Sequence, residues 1–506
     1  MKKVHIALID DGISRKEINC KLKHNLIVDE QMHIRENTEF DKSFHGIMCA
    51  KIILDYLKTE TDLSSIKILN EKGISDIDKL LAALKNAEEI GANIINLSLG
   101  STTFKDREKL LPIVNLLASK GIIIVCAVNN LLYHTYPASF TNVISVCSDR
   151  EDELKQGEFE VLDTNSSNIF IKAFARHTIE LTDGQTKQLY PSNSYAAPMI
   201  TAIIANNYNQ WLKKGAVHIE HIKKCLNDIS KNKKQYTPNY PHPDWIQNAI
   251  YVNIKAENPN QFDFRYFKDN LNFSKFKFET EKAFMEFIQD YIKKDDTIVD
   301  TLILDAGTKL KETTVKKTQK IIKEKITSII YIDEHNLQYN LQAAKDGFRV
   351  WNITDILKYQ TLKKTNQNAK EISIPLIVIK LENTSNFLSY DIETFFESRG
   401  YNCQIYSDDK YKLLLDSEYI DTDKIPFDNL IYKSNEIIDT RKIDLAIMEF
   451  ENTSFFETYS KIADIVIDIY KDKLNIKYEK TKEEFLINHG KIDIEKLMQS
   501  LYLILS

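Results

Sequence analysis

The sequence predicts an α/β protein built on a parallel sheet with helices on both faces. Three features of its first 210 residues carry that expectation. Short, largely apolar runs alternate with helical patterns. The runs lack the in–out alternation of a half-exposed strand, so they read as strands covered on both faces. The chain between them is long enough for crossover helices, which in parallel sheets are right-handed.

Taken in order, the expected strands are Val4–Ile9, Ile66–Leu69, Ile94–Leu99 and Ile122–Ala127. Helical periodicity covers about His45–Leu57, Ile77–Glu89 and Asp106–Ala118. A first domain is expected over 1–235. Residues 236–270 hold Pro238, Pro241, Pro243 and Pro259 and read as a linker or surface wrap. A second α/β region follows, one or two Rossmann-like subdomains over 271–370 and 371–506. Its expected strands are Thr301–Leu304, Ser328–Ile332, Leu376–Lys380 and Cys403–Tyr406, with helices near 313–325 and 386–398. An internal echo joins Leu381–Phe387 to Phe450–Phe456; helix capping by Thr or Ser is its plainer reading, a polar rim its sharper one.

Composition narrows the class. The chain has 506 residues, enough for about three domains of about 150 residues each. Its net charge is −6, which offers no global attraction to nucleic acid. Apolar residues make up 43% and charged ones 28%, the balance of a globular chain. The longest apolar runs fall short of the roughly 18 residues a membrane span needs. Six cysteines lie scattered with no CxxC pair, which argues for a reducing, cytoplasmic setting and against a zinc site or disulfide framework.

Four segments then fall into a pattern. Ile9-Asp10-Asp11-Gly12 closes the first strand, and His45-Gly46-Ile47-Met48-Cys49-Ala50 opens a helix. Asn96–Gly100 and Val125–Asn130 are strand ends, and Ser192-Asn193-Ser194-Tyr195-Ala196-Ala197-Pro198 opens another helix. Taken singly, the Asp is a turn former, the His a packing residue and the Ser a cap. Together they run in the order Asp, His, Ser, spaced 35 and 149 residues apart.

On these residues the chain resembles the subtilisin-like serine peptidases over roughly residues 1–230. Asp10 stands at that family's Asp-Ser/Thr-Gly, His45-Gly46 at its His-Gly-Thr, and Ser194 in its Gly-Thr-Ser-Met-Ala-x-Pro. The resemblance implies a subtilisin-like parallel sheet and an Asp10–His45–Ser194 triad. His45 would take the Ser194 proton and Asp10 would set the imidazole tautomer. Asn130 is the implied oxyanion donor, with Asn129 in place of a glycine; a slip of one residue would exchange them. Ser98, Leu99 and Gly100 stand at the edge that pairs with an extended substrate, Gly100 admitting its backbone. Residues near Ala127, Val128 and Leu131 would line the pocket before the scissile bond, and Asn129 counts with them among the substrate-binding residues.

The departures lie close to the chemistry: Ser192 and Asn193 before the serine, Tyr195 after it, Ile47 after His-Gly, and Met48-Cys49 in place of His-Val. Cys49 and Cys126 lie near the site, and packing is the plainer reading for both. The first strand starts at residue 4, which predicts a member without a signal or pro-segment. The 371–506 region faintly resembles the phosphate-loop layout of bacterial peptide-maturation proteins. It is a degenerate form, since GxxxxGK[ST] is absent.

The expectation is an intracellular serine endopeptidase, with leader removal from a modified-peptide or bacteriocin precursor as its task. A catalytically silent peptide-binding homologue and a general turnover protease are the alternatives. The expected partner is a peptide substrate, with no nucleic acid and no membrane. No cofactor or metal is predicted at the site, and a structural calcium and the oligomeric state stay open.

Overall fold

In the computed structural model, β1 (Val4–Asp10) is buried along its whole length. It pairs in parallel with β4 (Thr61–Lys67) on one side and β5 (Ile94–Leu97) on the other. The sheet continues through β6 (Ile123–Ala127), β7 (Ile144–Ser148), β9 (Ile171–Ala173) and β8 (Phe159–Val161). Beyond β4 come β2 (Asn25–Val28) and β3 (Ile34–Glu36), so the order is β3-β2-β4-β1-β5-β6-β7-β9-β8. Only the two edge pairs, β2–β3 and β8–β9, are antiparallel. After β1 the chain builds β2, β3 and β4 on one side of it, then crosses over to build β5 and the strands beyond on the other. The carboxyl end of β1, where Asp10 lies, is therefore a topological switch point of the kind where α/β sheets place their ligands.

Helices cover the sheet. α1 (His45–Tyr56) and α4 (Asn193–Leu212) pack on each other within one apolar core, built from Ile47, Ile52, Ala197, Ile200 and the buried side chains around them. α4 is apolar around most of its circumference, as a helix inside a domain must be. α2 (Ile77–Glu89) and α3 (Asp106–Ser119) pair with each other and bury Leu80, Leu84, Leu110 and Val114. α5 (Ile219–Ile229) completes the helices of this unit.

The structure describes residues 3–18, 20–38, 44–103, 106–130, 135–162, 170–182, 184–212, 218–240, 243–255, 272–293, 299–323, 325–332, 335–336, 338–351, 372–380, 388–408, 418–419, 431, 434–435, 438, 443–470, 473–478, 481–486 and 493–505. Among these, no helix is long and apolar enough to cross a membrane.

The chain forms two compact units, 1–240 with 344–349, and 241–343 with 350–506. The six residues 344–349 return to the first unit for a specific reason. Arg349 is 3% exposed, and its Nε and a terminal nitrogen lie 3.0 and 2.6 Å from one oxygen of Glu220, itself buried on α5.

The second unit contains a four-stranded parallel sheet in the order 272–278, 248–254, 301–306, 328–331. It also contains a seven-stranded sheet in the order 418–419, 403–407, 445–450, 376–380, 465–470, 473–478, 481–486, whose last two strands are antiparallel. The protein is thus α/β throughout. The expected linker at 236–270 requires correction: residues Asn248–Ile254 form an interior strand, buried from Ala249 onward, with neighbours on both sides. Pro238 and Pro243 lie ahead of that strand, outside its hydrogen-bonded ladder. In the second copy of the internal echo, Asn452 caps the helix by accepting from Ser454 and Phe455 N–H. Thr453 and Ser454 do not cap it. The first copy, at 381–387, lies outside the described residues.

Candidate active site

Asp10 ends β1 and is 1% exposed. Its Oδ1 and Oδ2 lie 2.8 and 3.0 Å from Nδ1 of His45, the first residue of α1. Oδ1 also accepts the Asp11 N–H at 2.8 Å. Nδ1 is therefore the protonated ring nitrogen, and Nε2 is left as the basic one. Burial disfavours the charged imidazole, but Cys49 and Asp10 outweigh it and hold the His45 pKa above its ordinary 6.5. Burial raises the Cys49 thiol as well, so that thiol is neutral near pH 7 and the Asp10 carboxylate carries the effect.

Ser194 lies in the first turn of α4, and its own N–H has no hydrogen-bond partner among the described residues. A helix start leaves such N–H groups pointing outward. The Ser194 carbonyl is also released, because Pro198 sits four residues later and has no N–H to donate to it. Ser98 fills that vacancy: its hydroxyl donates to the Ser194 carbonyl at 2.9 Å and receives the Asn96 amide at 3.2 Å. The Ser194 hydroxyl donates to the Ser98 carbonyl at 3.3 Å. In this conformation it is turned to Ser98, and a rotation about its Cα–Cβ bond is what would aim it elsewhere.

Asn193, completely buried, ties the neighbouring strand ends to the start of α4. Its Oδ1 accepts from Ser148 N–H and hydroxyl, each at 2.8 Å, and its Nδ2 donates to the Val128 and Asn129 carbonyls at 3.1 and 3.0 Å. Its backbone N–H donates to Asn130 Oδ1 at 3.1 Å. A backbone N–H can only donate, so that bond fixes the orientation of the Asn130 amide and leaves Nδ2 as its outward donor. Asn129 is held by its backbone, its N–H donating to Thr135 Oγ1 at 3.0 Å.

These residues border one cleft of about 1340 Å³. His45, Ser194, Leu99, Gly100, Ala127, Val128, Asn129 and Asn130 all face it, as do Tyr195 and the 67–77 segment. Two residues of the expected substrate edge also have roles inside the protein. Ser98 directs its side chain into the hydrogen-bond network and away from solvent, leaving only its backbone for a substrate. Gly100 has an internal reason to be glycine: an added Cβ would lie 2.6 Å from the Thr135 methyl and 2.8 Å from the Tyr136 carbonyl oxygen. Leu131 lies outside the described residues. Cys49 and Cys126 are both fully buried with raised pKa values, which makes them packing residues rather than nucleophiles.

Asp10, His45 and Cys49 place three potential ligand atoms within 4.8 Å of one another, the only such group among the described residues. The Asp10 carboxylate already binds His45 Nδ1, so the group reads as a hydrogen-bonded cluster. Tyr195 stacks on the His45 ring, centroids 5.5 Å apart and planes 28° apart.

Sequence reasoning passed over three contributors. Pro198, four residues after Ser194, signals an orphan carbonyl at Ser194 and hence the need for a donor such as Ser98. Asn193 is a lone amide inside an otherwise small and apolar helix start. Asp11 is an acid where a hydroxyl residue is usual.

Residues 1–237 match the family model of the Subtilase family. This part of the chain belongs to that family of serine peptidases. Over 156 residues the subtilase domain is 26% identical to the minor extracellular protease Epr of Bacillus subtilis strain 168. That match covers 30% of this chain, and the chain spans about a quarter (24%) of that relative's length. Two solved structures are also similar. A lanthipeptide protease is 17% identical with a TM-score of 0.36, over 44% of this chain and 79% of that one. The epidermin leader peptide processing serine protease EpiP of Staphylococcus aureus is 17% identical with a TM-score of 0.36, over 46% and 71%.

Proposed function

We propose that the subtilase domain is a serine endopeptidase. The Ser194 hydroxyl attacks the scissile carbonyl, its proton passes to His45 Nε2, and that proton then goes to the leaving amine. Water, deprotonated by the same nitrogen, releases the acyl group from Ser194. Asp10 keeps Nδ1 protonated and stabilises the imidazolium. The Ser194 N–H and Asn130 Nδ2 receive the oxyanion. The observation that carries the reading is the convergence of a buried Asp10–His45 pair, Ser194 and two available N–H donors on one cleft. The uncharged lining by Ala127 and Val128 fits a small or apolar side chain before the cut.

A fluorophosphonate probe is expected to label Ser194 in the folded protein and to leave Ser194→Ala unlabelled. Absence of labelling in a folded sample would overturn the reading. It would favour a silent peptide-binding role, to which the Ser194–Ser98 hydrogen bond also speaks.

The same reading ranks the two asparagines. Asn130→Ala should lower kcat by about 10²–10³ with little change in KM, the size that losing one such donor has in subtilisin. Asn129→Ala should cost far less, since Asn129 is held here through its backbone. Equal losses in steady-state assays would refute that assignment.

For substrate we propose a ribosomally made precursor peptide cut between leader and core, the kind of activity named for the epidermin protease. The measurement is kcat/KM on a leader–core junction peptide against unfolded casein. Comparable values would point to general turnover instead. The six cysteines are unpaired, which fits action in a reducing compartment such as the cytoplasm.

A further inference from the structure

We propose that Asp11 is a positioning residue for the catalytic base, acting as the N-terminal cap of α1 from the loop after β1. The inference rests on the peptidase reading for its kinetic consequences, though not for its geometry.

α1 begins at His45 with no cap of its own. Phe44, the residue before it, makes no side-chain capping bond. The first N–H groups of a helix have no partner within it and must find one elsewhere. Here a single carboxylate accepts from the first two, and from the residue before them. Asp11 Oδ2 accepts the N–H of Phe44 at 3.2 Å and of His45 at 3.1 Å, and Oδ1 accepts that of Gly46 at 2.7 Å. A carboxylate at this end also meets the positive pole of the helix dipole.

The consequence for His45 is that two adjacent residues hold it at two points. Asp10 holds the imidazole through Nδ1, and Asp11 holds the backbone N–H of the same residue. The Asp11 N–H in turn donates to Asp10 Oδ1, which ties the Asp10 carboxylate to the backbone of the capping residue. The fit leaves no slack. An added Cβ on Gly46 would collide with the Gly12 carbonyl oxygen and lie 2.8 Å from Asp11 Oδ1. Gly12 has φ +102°, a conformation L side chains rarely adopt. The Ser or Thr usual at the Asp11 position in this family offers one oxygen. Three N–H groups spread over a helix turn suit the two-pronged acceptor better.

Among the described residues, the charged and titratable groups around the imidazole are Asp10 at the end of β1, Asp11 just after it, Cys49 from α1 and Tyr195 from α4, with Lys67 of β4 beside Gly12. Burial and the neighbouring Asp10 charge raise the Asp11 pKa, while the Gly46 and His45 N–H groups oppose that. Removing the Asp11 charge takes one nearby anion away from the imidazolium.

The test uses full-length protein and the variants Asp11→Ala and Asp11→Asn. Asp11→Ala should reduce kcat and the fluorophosphonate labelling rate about 10- to 100-fold with KM nearly unchanged, the scale set by small misplacements of a catalytic group. In both variants the acid limb of kcat/KM should move to lower pH, and Asp11→Asn, which keeps one acceptor, should retain more activity. Folding is controlled by the thermal midpoint, and Asp11→Asn is the variant to use if Asp11→Ala does not fold. Independently of turnover, the downfield proton NMR signal of the His45 Nδ1–H should shift or broaden in Asp11→Asn. A folded variant with the parent's labelling rate, pH profile and Nδ1–H signal would overturn the proposal, as would a loss confined to KM. If the parent protein itself fails to react with the probe, the peptidase reading falls, and the NMR signal alone still decides the role of Asp11.

Discussion

Asp10→Asn is expected to lower kcat by about 10⁴-fold while leaving KM nearly unchanged. The direction follows from the hydrogen bonds around the carboxylate. Asp10 Oδ1 accepts the Asp11 backbone N–H at 2.8 Å, and a backbone N–H can only donate. An asparagine would keep its carbonyl oxygen there and turn its NH₂ toward Nδ1, where Oδ2 now lies at 3.0 Å. The imidazole would then carry its proton on Nε2 and could not accept one from Ser194. A second signature concerns pH. A base works when neutral, so kcat/KM rises with pH through the imidazole pKa, which Asp10 holds above 6.5. Without the carboxylate the residual activity should rise at lower pH than in the parent. Steady-state kinetics across pH measures both effects, and a drop under tenfold with an unmoved acid limb would contradict this account.

Arg349→Met should destabilise the full-length protein by about 3–5 kcal/mol, the usual cost of removing one partner from a buried ion pair. Glu220 is 8% exposed and Arg349 3%. The remaining contacts of Glu220 are the Tyr236 and Tyr240 hydroxyls, with the Lys223 ammonium nearby donating to the Thr141 carbonyl and the Tyr240 hydroxyl. None of these replaces the guanidinium. Burial pushes the Glu220 carboxyl up, but Arg349 and Lys223 hold it down to about 2. A depressed carboxylate contributes stability in full above its unfolded pKa near 4.5 and loses it as pH falls toward 2. The margin of the parent over Arg349→Met should therefore shrink across that interval. Urea unfolding reads the difference, and Glu220→Gln combined with Arg349→Met should recover part of it. Equal midpoints for parent and Arg349→Met would refute the role given to residues 344–349.

Several elements were legible from pattern alone. β1, α2 and α3 fall within a residue of the apolar and helical runs that predict them, because each buries a continuous face in one layer. β4 was harder. It spans Thr61–Lys67, whereas the apolar run pointed to Ile66–Leu69. Ser64 and Ser65 break that run yet are buried, and the Ser64 hydroxyl bonds His5 Nε2 at 2.8 Å and the His24 N–H at 3.2 Å. A polar residue satisfied by distant partners looks like a loop until those partners are known. Asn248–Ile254 was hidden differently, since the prolines ahead of it drew attention to the turn rather than to the strand after it.

The site divides along the same line. Asp10, His45 and Ser194 stand in short motifs whose residue types and order already describe the chemistry. The chain itself therefore names the residues of the proposed triad, as well as the alternation that builds a parallel sheet. Folding in three dimensions settles which way the Ser194 hydroxyl turns, that Ser98 serves the Ser194 carbonyl, and that Asn193 orients Asn130. It also brings Asp11 to a helix 34 residues away and Arg349 to a carboxylate 129 residues away. The physical reason is that hydrogen bonds and ion pairs take their strength from burial and from partners remote in the chain, and a local motif carries neither.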